Sequence, residues 1–198
     1  MAEIAIPEAR PRAATLALKE WAAVARALLD GRQTVLLRKG GIHERAFAVA
    51  DGRFVLFPTV AHSHAERVRA EHQDLLALGE ADVDEDKGTF TVRCGVSLVD
   101  VVPAERPEGL SDIADLHIWT AHSVQEDRLD FRPKHPLQVL VVRAFELPAP
   151  VTLQRAEEHS GCKSWLDLPL SWDGASGRQA VGEERLRADA ARVRAAVG

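Results

Sequence analysis

The sequence predicts an α+β fold: a mainly antiparallel sheet or small barrel with flanking helices. Three observations carry this. The predicted order is helix, hairpin, helix, strands, helix, strand, without the regular alternation of a doubly wound parallel sheet. An Asp51-Gly52 pair separates two apolar runs, the pattern of a tight hairpin. The run Leu137 to Leu147 (LQVLVVRAFEL) is dense in β-formers.

In order along the chain, Leu18, Trp21, Val24, Ala25, Leu28 and Leu29 recur at helical spacing, predicting a helix from Thr15 to Asp30. Thr15 suits its cap and Gly31 the left-handed residue that ends it. Val35, Leu36 and Leu37 read as a buried strand within Gln33 to Arg38. Phe47 to Ala50 and Phe54 to Phe57 are the expected hairpin, stopped by Pro58. Ser63 and Glu66 form a capping box for a helix to Leu78, ended by Gly79. Glu80 to Lys87 is an acidic solvated loop. Thr89 to Val102 is a long strand bent at Gly95, or two strands.

Ser111 to Leu116 is a short helical stretch, and Ser123 with Glu126 caps another of two turns. Pro148 and Pro150 close the strand at Leu137 to Leu147, and Val151 to Gln154 can resume it. A C-terminal helix from Gly182 carries Leu186, Ala190, Val193 and Val197 on one face. The expected organisation is an extension over 1–14, a main domain over 15–155, and a C-terminal extension over 156–198 with that amphipathic helix.

The 198 residues suit one domain, and 46% hydrophobic with 28% charged is globular composition. A formal charge of −5 excludes a protein that coats polyphosphate wholesale but not a local basic site. Two cysteines, Cys94 and Cys162, without a CxxC motif point to a reduced compartment, and a cytoplasmic location is expected. No signal-peptide core and no run near membrane-spanning length occurs. Arginine outnumbers lysine 20 to 5, which GC-rich coding explains as well as ligand choice does.

Phosphate-loop, dinucleotide-binding, GxSxG, HExxH and zinc-type cysteine motifs are absent, so no cofactor or metal is expected. The first positive signal is Gly31 to Gly41 (GRQTVLLRKGG). A strand ending in Arg38-Lys39-Gly40-Gly41 sets amides and long cations together, a combination that holds phosphate or carboxylate. The same residues also make an ordinary polar connection. From Arg32 to Arg53 there are five bases and two acids, whereas Glu80 to Lys87 holds five acids and one lysine. A basic face on an acidic body follows.

The second signal is Trp119 with His122, Arg128, Phe131, Arg132, Lys134 and His135. Such residues either stack bases and neutralise phosphates or anchor a short helix in the core. His62, His64 and His72 are spaced poorly for one metal. Cys162 sits beside His159 and Lys163, which can lower a thiol's pKa. Asp112, Asp115, Asp127 and Asp130 are the acids a metal-dependent nuclease would use.

Leu18 to Ile42, Phe54 to Thr59 with His62, and Trp119 with Arg132-Pro133-Lys134 and the strand at Leu137 to Leu147 resemble the bacterial family known as domain of unknown function 1802. The resemblance covers about residues 16–150. It implies a link to restriction–modification, because related chains carry a nuclease-type domain. A looser resemblance is to ASCH and PUA-like RNA-associated domains, small barrels with a GxKxxExR motif. Gly31 and Arg38 fit it, while Gln33 and Leu36 replace its lysine and glutamate.

The expectation is therefore a nucleic-acid-binding accessory domain, in restriction–modification or RNA processing, using Arg32, Arg38, Lys39, Gly40, Gly41, Trp119, Arg132, Lys134 and His135. Trp119 or Phe57 would stack a base, and the partner would be DNA or RNA. Alternatives are a metal-dependent nuclease, or an interaction module docking a partner or second copy through its C-terminal helix. Ligand identity and oligomeric state are not legible.

Overall fold

The computed structural model describes residues 14–39, 47–60, 64–161 and 163–198. Among them the strands are β1 (Thr15–Trp21), β2 (Val35–Lys39), β3 (Arg53–Thr59), β4 (Val83–Asp84), β5 (Thr89–Pro103), β6 (Leu137–Gln154), β7 (Trp165–Leu168) and β8 (Arg178–Gln179). The helices are α1 (Ala22–Leu29), α2 (His64–Arg67), α3 (Asp74–Glu80), α4 (Ala121–Val124) and α5 (Glu183–Val197). The α+β class expected from the sequence is what forms: one open, mostly antiparallel sheet ordered β2-β6-β5-β3-β1-β7, with β4 on β5 and β8 on β6. The exception is β1, which runs parallel to β3 with Glu20 opposite Pro58 and Trp21 opposite Thr59.

Both faces of the sheet are covered. Leu16, Leu18, Phe54 and Leu56 enter the main core, while Ala17, Val55 and Phe57 enter a second cluster with Phe90, Leu166 and Leu168. Strands buried on both faces lose the alternating pattern that betrays a strand. This accounts for the first correction: Thr15 to Trp21 is β1, not helix, and α1 begins only at Ala22. Trp21, with φ −64 and ψ 135, turns the extended chain directly into the helix. Gly31 does end α1, with φ +71.

The expected hairpin does not form. Residues 47–50 are irregular, Asp51 is buried with its carboxylate accepting from the Arg53 amide, and β3 pairs with β1 and β5 instead. Pro58 lies within β3 rather than after it. Ser63 lies outside the described residues. The helix expected to run from it breaks into α2, a 3₁₀ turn at Ala70–His72, and α3. Gly79 lies inside α3, not after it, because a Cβ there would meet the Ala23 backbone nitrogen at 2.7 Å. This close approach seats α3 on α1.

The β5 irregularities fall at Val92/Cys94 and Leu98/Asp100, not at Gly95. Thr120, not Ser123, caps α4, which runs on into a π-helical turn at Gln125–Asp130. β6 continues unbroken through Pro148 and Pro150, paired with β5.

Residues 156–198 are not an appendage. β7 pairs with β1, β8 pairs with β6, and α5 buries Leu186, Ala190, Val193 and Val197. Within α5, the buried Asp189 carboxylate accepts from the Thr34 hydroxyl at 2.8 Å. The apolar face that would dock a partner is therefore already covered by this chain. Among the described residues no helix is long and apolar enough to cross a membrane.

Candidate functional site

The C-terminal ends of β1, β2 and β3 meet around one cleft, which Trp21, Lys39 and Thr59 line together. Beyond Leu18, β1 is no longer paired with β7. The Lys19 carbonyl is thus open to the side, and Arg38 Nη1 donates to it at 3.2 Å. The π-helical turn after α4 closes over this point. Between them lies a cleft of ≈ 480 Å³.

Five cations line it, Lys19, Arg38, Lys39, Arg128 and Lys163, against two carboxylates, Glu20 and Asp127. Asp127 is already held by Arg67, Nε to Oδ2 at 2.7 Å. Glu20 is 4% exposed and ion-paired with Arg38 at 3.0 Å. Its second oxygen accepts from the Trp21 amide at 2.9 Å. Among the described residues Arg128 makes no ion pair with a carboxylate. Its Nη1 reaches the Asp127 carbonyl at 3.3 Å, its guanidinium lies 5.8 Å from the centre of the Trp119 ring, and its Nε, sealed from water, has no partner among the described residues. The Nε of Arg38 is in the same condition.

Lys39 Nζ donates to the Arg128 carbonyl at 2.7 Å. Burial lowers the Lys39 pKa, and the charge of Arg128 lowers it further against the pull of Asp130. Burial likewise lowers the pKa of Arg128, with Glu20 opposing and Arg38 adding to the effect. Groups whose charged forms are disfavoured this way gain from an arriving anion. Phe131, 49% exposed, offers an open ring on the same wall.

Of the residues the sequence nominated, Arg38 and Lys39 line this cleft. Gly40 and Gly41 lie outside the described residues. Arg32 precedes β2, at the opposite end from Lys39, and is ion-paired with Asp30 and Asp74 at 2.6 and 2.7 Å. Trp119 is 5% exposed and packs edge-on against Trp21, 4.8 Å between ring centres. It supports Arg128 and offers no face to a base. Phe57 is buried against Phe90. Arg132 adopts a φ of 52 and lies over its own neighbour Phe131. Neither it, Lys134 nor His135 lines the cleft. Their neighbour Arg128 meets β2 instead. A cation-rich segment was the only signal pointing to Arg128, and nothing local marked Lys19, Glu20 or Lys163.

The candidate nuclease acids do not gather. Asp115 is tied to Arg192 at 2.7 Å, which lowers its pKa, Asp127 is held by Arg67, and Asp130 accepts from Gln125. Among the described residues no group of three histidines, cysteines or acids could hold a metal. His62 and Cys162 are outside the described residues. His72 faces Arg69 at 3.1 Å, and burial, then that charge, lowers its pKa. Cys94 is buried, which pushes its thiol pKa up, so it is not a nucleophile.

No curated protein matches the chain. Two solved structures similar to it are ASCH proteins of Zymomonas mobilis. One, a serine-to-alanine variant, is 12% identical with a TM-score of 0.39, covering 65% of this chain and 66% of that one, just under two thirds of its length. The other is 12% identical with a TM-score of 0.38, covering 73% and 89%. A family model matches residues 17–192, from within β1 to within α5, and the chain therefore belongs to the family described as Domain of unknown function (DUF1802).

Proposed function

We propose that this protein binds nucleic acid by its phosphate backbone, in the cleft between the ends of β1 and β2. The observation that carries the reading is the charge shortfall there. Among the described residues Arg38 and Arg128 have one buried carboxylate, Glu20, beside them, and each keeps an Nε with no acceptor. Partly buried guanidinium groups without enough acceptors are costly unless a counter-charge arrives. Guanidinium pairs with phosphate in fork geometry and, being weakly hydrated, loses little on entering such a site. Lys39 from below and Lys19 and Lys163 at the sides extend the positive lining.

The chain as a whole is acidic, with a formal charge of −5, so a polyanion gains only where cations are concentrated locally. Under this reading the chain is an accessory domain that holds a strand, of the kind used in restriction–modification or RNA processing.

The test is titration of fluorescent single- and double-stranded DNA and RNA oligomers at two salt concentrations. The expected result is saturable binding with log K falling linearly against log salt, by a slope of roughly −0.7 to −0.9 per phosphate neutralised. Arg38→Gln should flatten that slope. Absence of binding at low salt sinks the reading.

A further inference from the structure

A second cavity, of ≈ 300 Å³, adjoins the first, and Lys163 lines both. Its lining is mixed: Leu16, Leu166 and the half-buried Trp165 are apolar, and Glu158, His159, Lys163 and Asp167 are polar or charged. This volume is at the lower end for small-molecule sites.

His159 is 8% exposed and fixed by its surroundings. Its ring packs 5.5 Å from those of Phe57 and Phe90, and its Nδ1 accepts from the Ala156 amide at 3.0 Å. With Nδ1 accepting, the ring proton sits on Nε2. The nearest carboxylate oxygen to Nε2 is Glu158 Oε1 at 4.0 Å, beyond hydrogen-bond reach. A fixed donor and a carboxylate acceptor therefore stand side by side in the pocket without satisfying each other. A flat heterocycle with an acceptor next to a donor on one edge satisfies both. The pairing edge of a nucleobase has that arrangement.

We infer that this pocket takes one unpaired nucleobase whose phosphate lies in the neighbouring cationic cleft, with Lys163 between them. The inference rests on the phosphate-binding reading above and goes beyond it in requiring a base with a free pairing edge. Single strands, or a base extruded from a duplex, are then the ligands, because a paired base has already used the edge that His159 and Glu158 need.

The experiment measures affinity of the full chain and of Glu158→Ala for three ligands: a short single-stranded oligomer, the same oligomer with abasic central positions, and the oligomer annealed to its complement. Glu158 is 77% exposed, so this variant keeps the fold. The expected result is binding of the base-bearing strand at least tenfold tighter than of the abasic strand or the duplex. In Glu158→Ala, which removes the acceptor altogether, that ratio falls severalfold. Equal binding of base-bearing and abasic strands overturns the inference and leaves phosphate binding standing. A preference that survives in Glu158→Ala also overturns it, placing the base elsewhere. Failure of all three ligands to bind removes both proposals.

Discussion

Two buried carboxylates in this molecule each lie beside two arginines, and they end in opposite electrostatic states. Asp82 accepts from Arg26 through both oxygens, at 2.7 and 2.8 Å, and also from Arg93. The side chains of Arg26 and Arg93 are 22% and 32% exposed, so water completes their hydration. The site is closed and ties α1 to β5. Glu20 gives one oxygen to Arg38, spends the other on the Trp21 amide, and leaves Arg128 to a ring face and a carbonyl. One carboxylate beside two guanidinium groups thus makes a structural pin in one place and a site short of an anion in the other. What separates them is how many acceptors and how much water reach the guanidinium groups.

The largest effect expected is at the closed site. Asp82→Asn removes the counter-charge of both arginines and should cost about 3–5 kcal/mol, read by urea unfolding, with oligonucleotide affinity per folded molecule unchanged. Loss of binding without loss of stability would merge the two sites and break the comparison.

Acidification probes a buried group outside both sites next. His117, 2% exposed, accepts from the Trp119 amide through Nδ1. Burial, helped by the charges of Arg69 and Arg128, lowers its pKa to about 4. The unfolded chain protonates near 6.5, so between these values the unfolded state holds more protons and stability rises with pH. This contribution is present in full above about pH 6.5 and is lost as pH falls toward 4, at most about 3 kcal/mol. His72, lowered in the same direction, adds to it. His117→Asn should flatten the pH dependence in an unfolding series.

How much of this was legible beforehand follows from what each residue touches. β2 was legible because Val35, Leu36 and Leu37 form a compact apolar run, and α5 because its buried face keeps helical spacing. β1 was not. Leu18 and Trp21 happen to continue the period of α1, and burial of Leu16, Ala17 and Leu18 on both faces erased the strand pattern. The cations of β2 were visible as a charged strand end. Their partner Arg128 was not separable from Arg132 and Lys134, because only the π-helical turn and Trp119 place Arg128 in the cleft and leave the other two out of it. Glu20 and Lys163 depend on register between distant strands, which carries no local signature.

Arg128→Gln should show the inverse of Asp82→Asn. It removes a poorly solvated cation, so stability should change by less than about 1 kcal/mol, whereas affinity for a phosphate-bearing strand should fall about tenfold, roughly 1.4 kcal/mol. Destabilisation as large as that of Asp82→Asn would mean that Arg128 is fully satisfied within the fold and that the cleft lacks no anion.

The smallest effect on stability is expected at Phe131, where the two kinds of contribution separate most cleanly. The ring is half exposed on the cleft wall, with the Arg132 guanidinium 5.4 Å from its centre. A ring left in water adds little to folding, so Phe131→Ala should alter unfolding by no more than about 0.5 kcal/mol. Stacking by a base would cover that face, and its loss should weaken single-strand binding by about 1 kcal/mol or more. Phe131→Leu discriminates between the causes, because leucine keeps apolar area but has no flat face. If leucine restores the affinity, the ring contributes area alone. If leucine behaves as alanine does, a planar partner rests on it, and the open cleft gains its affinity from both charge and stacking while the closed Asp82 site has neither to offer a ligand.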